Sequence, residues 1–297
     1  MTESQLMKKH IITEIKNWEM IFQLDRNFLS DFVFRGQGNS TWDLTTSIER
    51  NILKFNSHNS LKSYTNTERW MLLEFKRKAH LYSNYNIDYN NNFECLTILQ
   101  HYGAPTRLLD FTNSFFIATY FAIADSNEDA AIWAINRKIL SINFRQDYYN
   151  KYIQEKYGED ENNCTAIDFA NEFLSPFPKN IKYPSIVIPL APKLFNERLA
   201  RQQGLFLIPI NSDISFFDNL KSAFRIKKIE FKNLNIDELI DYSKERQFAN
   251  DTQLIKIVIP KTLRVDIVRY LKDMNITSEI LFPGLDGLAR SLIHNKL

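Results

Sequence analysis

Glycine is scarce in this chain, with seven residues in 297, against the roughly 7% that globular proteins average. Where glycine is this rare, each one answers a backbone need such as a tight turn or a close approach. The GxG of residues 36–38 is no dinucleotide fingerprint, because no third glycine follows and no capped helix opens at once. A Walker loop is absent as well. Cysteine is rarer still: Cys95 and Cys164 make neither a disulfide framework nor a zinc knuckle, and they fit a reducing, cytoplasmic setting. No His-Glu-x-x-His pattern or carboxylate cluster calls for a metal. The opening stretch MTESQLMKKHIITEIKNWEM is amphipathic rather than a continuous apolar run, so we expect neither a secretory signal nor a membrane partner. An excess of one charge is also lacking. With 37 basic and 35 acidic residues the net charge is +2, which gives no polyelectrolyte signal for nucleic acid or membrane.

What the chain does have is apolar and aromatic bulk, 44% and 13% of residues, enough to fill a sizeable core. Apolar spacing predicts an amino-terminal helix over residues 3–25 within a helical extension, 1–28, followed by a short strand at 32–35. Further helices are expected at 44–55 and 67–81, with a loop to residue 92, then another from 91 to Gly103. Strand signals fall at 130–135, 185–189, 205–210, 223–231, 254–259 and 276–282. Helices are expected at 194–203, 236–246, 262–274 and 285–294. Residues 143–180, polar, charged and rich in tyrosine, read as an insertion or lid. Strands and helices mix without regular βαβ alternation, so the fold class is α+β in a single domain over 1–297.

The densest stretch is LQHYGAPTRLLDFTNSFFIATYFAIAD, residues 99–125. Gly103 suits a left-handed helix cap, and Pro105 forbids continuation, so the helix ends beside Gln100 and His101. A strand at 106–109 then delivers Asp110, Thr112, Asn113 and Ser114 to the start of a helix over 115–124. Thr112, Asn113 and Ser114 suit N-terminal capping. The helix itself is apolar all round, which predicts burial, and its N-terminus offers a partly positive floor for an anion.

Three signatures carry a family resemblance. They are FRGQ at 34–37 with a sequel from Ser47 to Arg50, HYGAPTRLLDFT at 101–112 before an ATYFA helix, and ITSEILFPGLDGLAR at 276–290. Together they identify a resemblance to the FRG domain family, and beyond it to the Arg–Ser–Glu ADP-ribosyltransferases. The resemblance implies a mixed, split β-sheet core flanked by helices. It also implies an NAD-dependent enzyme that breaks the nicotinamide–ribose bond through an oxocarbenium-like transition state. Under it Arg35 holds the pyrophosphate or ribose, Gly36 receives the nicotinamide carboxamide, and Ser114 orients a carboxylate. The carboxylate falls to Glu279 on the last expected strand, with Gln203 of the RQQG turn as a positioning residue and His101 as a base or stacking ring. Gln37, Gln100, Arg107, Thr112 and Arg201 complete the expected NAD contacts. No metal enters. The acceptor is nucleic acid or protein, and the biological setting is a toxin or phage-defence effector with an antitoxin or regulator as partner.

Each residue also has a plainer reading. Arg35 can pair with Asp43 or Asp110, Arg107 with Asp110, and His101 can simply finish a helix. Trp42 and Tyr102 can stack on a base or fill core. Three functional classes stay open: an ADP-ribosyltransferase, an NAD glycohydrolase using water, and a nucleotide-binding sensor without turnover.

Overall fold

A computed structural model describes residues 9–24, 30–55, 62–82, 87–157, 165–177, 183–194, 196–245 and 247–294. Residues 1–8 and 25–28 of the expected amino-terminal extension, and 158–164 and 178–180 of the expected insertion, lie outside them. Strands β1 (His10–Glu14), β2 (Phe32–Gln37), β3 (Leu109–Thr112), β4 (Ala130–Asn136), β5 (Val187–Leu190), β6 (Gly204–Pro209), β7 (Lys232–Asn233) and β8 (Leu254–Ile259) form one sheet. Their order is β5-β6-β3-β2-β4-β8-β1-β7. Among the described residues only β1 makes parallel pairs, with β7 and β8, and the remaining pairs are antiparallel. The fold is therefore α+β around a mixed sheet, with helices against it.

Side-chain alternation sets the layers. Phe32 and Phe34 of β2, with Ile132 and Ala134 of β4, face a core built on α4 (Phe115–Ile123). Val33, Trp133 and Ile135 face the opposite core with Leu205 and Leu207 of β6. A third cluster gathers Phe206 and Ile208 of β6 under α3 (Asn92–His101).

Several expectations hold closely. The 115–124 helix is α4, and all but two of its residues are buried. Gly103 has φ +90°, and the Gly103 and Ala104 N–H groups return to the Gln100 and Leu99 carbonyls at 3.0 Å, a Schellman cap. Helices α1 (Ser47–Phe55), α2 (Lys62–Lys78) and α14 (Leu285–His294) also stand where expected.

Others are overturned. Instead of one amino-terminal helix, residues 10–14 are the buried strand β1 and Glu19–Gln23 a 3₁₀ turn. Ile11, Ile15, Trp18 and Ile21 are all buried, and their three- and four-residue spacing imitates a helix. The strand expected at 106–109 begins at Leu109. The strand expected at 223–231 is absent, its place taken by the end of α9 (Phe216–Ala223) and irregular chain before the two-residue β7. The last expected strand is the helical turn α13 (Ser278–Leu281). Across the span read as an insertion, which is not among the overturned readings, the end of α5 (Arg137–Phe144), a π turn at Arg145–Tyr149, α6 (Asn150–Tyr157) and α7 (Ala166–Phe173) bring Phe144, Phe169 and Leu174 into the third cluster.

Gly36 lets α4 lie on β2. A Cβ there would meet the Ala118 carbonyl oxygen at 1.9 Å and the Ala122 nitrogen at 2.5 Å, whereas at Gly38 the nearest atom is 3.4 Å away. Gly36→Ala should therefore lower unfolding free energy by roughly 3 kcal/mol in a urea titration, the cost of forcing a methyl group into a packed interior. Gly38→Ala should change it by under about 1 kcal/mol.

Candidate functional site

Strands β2 and β3 meet at a single register position, Phe34 opposite Thr112. Beyond it β2 stays with β4 through Gln37, while β3 stays with β6 back to Leu109. The sheet parts there. The Arg35 side chain crosses the gap and donates from Nη1 to the Asp110 carbonyl at 2.8 Å, with an Asp110 carboxylate oxygen at 3.9 Å. In the parting lies a cavity of about 780 Å³.

Its walls come from five parts of the chain, one of them Phe121 and Asp125 at the end of α4. Residues 34–50 contribute Arg35, Trp42 and Arg50, α3 contributes Glu94, Gln100 and His101, and β3 contributes Asp110 and Thr112. The segment from Pro192 to Phe206 adds Arg198 of α8 (Glu197–Arg201) and Gln202. Thr112 Oγ1 donates to the Gln202 carbonyl at 2.7 Å, and the Asn113 N–H to the Gln203 carbonyl at 3.0 Å. The hydroxyl motif thus latches the far wall.

Of the residues expected to act, Arg35, Gly36, Gln37, Gln100, His101 and Thr112 line the cavity. Their roles differ from those expected. Gly36 has no side chain because α4 leaves no room for one. The Gln37 amide is engaged, accepting from Trp133 Nε1 at 2.8 Å and donating to the Asp43 carbonyl at 3.2 Å. Gln100 Oε1 accepts from the Thr106 hydroxyl. His101, edge-on to Tyr102 at 4.9 Å, has its pKa lowered by burial and then by Arg198, so the ring is neutral at physiological pH.

Ser114, Arg107, Arg201, Gln203 and Glu279 do not line the cavity. Ser114 caps α4, accepting from the Ile117 N–H at 3.3 Å, the plainer reading of that residue. The positive end of α4 lies away from the cavity, which meets this helix at Phe121 and passes on to Asp125. Arg107 is buried and pairs not with Asp110 but with Glu68, Nε to Oε2 at 2.5 Å. Arg201 pairs with Glu197 at 2.6 Å and donates to the Ile280 carbonyl. Gln203 is exposed with φ 47° and serves as the left-handed cap of α8, the position expected of Gly204. Glu279, expected on a strand, is exposed on the helical turn α13 and reaches no wall of the cavity.

Sequence reading missed Arg198 and Glu94. Arg198 is half-buried, stacks on the Phe282 ring at 4.8 Å beside Arg290, which does the same, and donates no hydrogen bond among the described residues. Burial, and then Arg290, depress its pKa while Asp110 supports it. A guanidinium stays charged through such shifts. Arg35 is desolvated likewise, and its buried Nε finds no partner among the described residues. The one sign available for Arg198 was its place in RLARQQG, six residues before the glycine. Cys95 is buried, its thiol pushed up to about 11 by desolvation, and is no nucleophile. Among the described residues no His, Cys, Asp and Glu cluster has the grouping a metal needs, and no helix is long and apolar enough to cross a membrane.

Residues 30–131 match the model of the FRG domain. The span holds the first two sequence signatures and most of the cavity's near wall, whereas the third signature, 276–290, lies outside it. No curated protein and no solved structure matches the chain.

The buried Glu68–Arg107 pair separates structure from site. Arg107→Ala leaves Glu68 in the interior without its ion-pair partner and should destabilise the fold by about 3–5 kcal/mol in chemical denaturation. Ligand affinity of the variant that remains folded should be unchanged. A selective loss of binding with full stability would place Arg107 in the site instead.

Proposed function

We propose that the cleft lined by the FRG domain at residues 30–131 binds a nucleotide diphosphate, NAD as the lead ligand, and is the seat of ADP-ribosyl transfer. The observation that carries this reading is the pair of cations with unengaged donors in one cleft: Arg198, which donates no hydrogen bond among the described residues, and Arg35 with its orphaned Nε. A diphosphate supplies the acceptors both lack, in the forked geometry that guanidinium groups match. Arg50, exposed on α1 and donating to the Thr45 carbonyl at 2.5 Å, stands close enough to Arg35 to depress its pKa. An anion between the two relieves that repulsion. Trp42, 56% exposed on the rim, offers a face on which a nicotinamide or adenine ring can stack.

With the diphosphate held, the nicotinamide–ribose bond breaks as positive charge develops on the sugar. The carboxylates of the cleft supply the opposing field. Water as acceptor makes the same site a glycohydrolase. A binding module without turnover is the second reading, favoured by Ser114 and Glu279 standing outside the cleft.

The test is titration with ADP-ribose and with NAD, read by heat and by thermal shift, together with free nicotinamide released from NAD with and without cell extract. Both ligands should bind and raise Tm by linkage. Arg198→Ala should weaken binding at least tenfold, about 1.4 kcal/mol, while stability changes by no more than the roughly 2 kcal/mol of one partly desolvated cation–π contact. No heat and no shift up to about 1 mM ligand would end the nucleotide reading. Binding without nicotinamide release would select the sensor.

A further inference from the structure

We propose that Glu94 is the proton acceptor of the cleft and that Asn91, held by Asn171, positions it; the proposal rests on the reading of the cleft as an NAD-cleaving site. Four carboxylates line the cavity: Asp43, Glu94, Asp110 and Asp125. Asp110 faces Arg35 and is 63% exposed, and Asp43 and Asp125 are exposed too. Glu94 alone is half-buried, and it makes no ion pair among the described residues. A carboxylate that takes a proton in catalysis needs that seclusion, because solvated carboxylates stay too weakly basic near neutral pH.

The side chain is also held. Asn91 caps α3, its Oδ1 accepting the Glu94 N–H at 3.1 Å, and its Nδ2 donates to Glu94 Oε2 at 3.4 Å. Asn171, on α7, grips the same turn three times. Its Nδ2 donates to Asn91 Oδ1 at 3.0 Å, its Oδ1 accepts the Phe93 N–H at 2.8 Å, and its carbonyl accepts from Asn92 Nδ2 at 3.3 Å. A cap needs only the bond from the Glu94 N–H to Asn91 Oδ1. The bond from Asn171 Nδ2 to that same oxygen fixes the amide that touches the carboxylate, and the other two hold the turn around it.

The charged groups facing Glu94 are Asp88, before α3, and Lys193, after β5. Burial first and Asp88 second raise its pKa, against Lys193 and the Asn91 bond. In the transfer step the ribose C1′–N bond breaks and its electron pair leaves with nicotinamide, neutralising the pyridinium. The acceptor oxygen forms the new bond to C1′, and its proton passes to Glu94, which returns it to solvent. The sign for stability follows. A carboxyl whose folded pKa lies above its unfolded value supports the fold at low pH, and that support is lost as pH rises through the raised value. At pH 7 Glu94→Gln should therefore not lower Tm.

The experiment measures nicotinamide release from NAD against pH, with and without cell extract, beside ADP-ribose affinity, in the wild-type protein, Glu94→Gln and Asn91→Ser. Serine keeps the cap but deletes the amide donor. We expect the wild-type rate to rise along a limb above the ordinary carboxylate range. Glu94→Gln should lose that limb and about 10² in rate while holding ADP-ribose affinity within about threefold. Asn91→Ser should move the limb upward, which a purely structural residue would not do. Wild-type rate and limb in Glu94→Gln would overturn Glu94 and leave the cleft reading standing, and an unmoved limb in Asn91→Ser would overturn the positioning role. A wild-type protein that binds ADP-ribose and releases no nicotinamide under either condition would overturn cleavage, and the role of Glu94 with it.

Discussion

A sheet that parts between two strands leaves backbone groups without ladder partners, and something must satisfy them. At the β2–β3 parting that group is the Asp110 carbonyl, and the Arg35 guanidinium reaches across to it. One side chain thereby joins the two halves of the sheet where the ladder has stopped. The same placement sets a permanent cation on the wall of the opening. Helix α4 lies hard against β2 at Gly36 and sets the strand's place beside the gap. The arginine that bridges the cleft is thus both a tie and a potential ligand.

Polar side chains around the cleft fall into two groups by whether their hydrogen-bonding capacity is already used. Gln37, Gln100, Thr112 and Ser114 are each engaged by nearby backbone or side chains. Short and amide side chains close to turns find such partners readily, which is why they favour caps and loops. Long side chains brought from a distant segment are not obliged to do so. Arg198 enters from residues that sequence places far from the FRGQ motif, and it stacks on an aromatic ring instead of pairing. That contact holds the stem while leaving the donors for another group.

How far the sequence could be read follows the same line. Caps and the all-apolar helix were legible because their signals are local: Gly103, Pro105 and Ser114 act on their own neighbours. The strand β1 was not, because the apolar residues in and after it, Ile11, Ile15, Trp18 and Ile21, fall at helical intervals although strand, turn and 3₁₀ segments carry them. For α13, β-branched Ile276 and Thr277 with Ile280 suggested a strand, but four residues between Asn275, at φ 59°, and the left-handed Gly284 close as a helical turn. In the site, Arg35 was legible from its glycine neighbour. Glu94 and Arg198 were not, since nothing local distinguishes a charge that faces a cleft from one that faces solvent.

The carboxy-terminal signature then finds a physical role that needs no catalytic residue. Arg201 Nη1 donates to the Ile280 carbonyl at 3.0 Å, Gln202 Nε2 to the Leu281 carbonyl at 3.1 Å, and Arg198 stacks on Phe282. Three consecutive residues, 280–282, therefore hold the helix that forms the far wall. Gly287 lets α14 close onto them, since a Cβ there would lie 1.8 Å from the Phe282 carbonyl oxygen. Phe282 also meets Phe121 of α4 edge-on at 6.0 Å, so the brace rests on the same helix that sets β2 in place. The motif lies outside the cleft yet decides where Arg198 and Gln202 stand, which ties both walls of the opening to one buried helix.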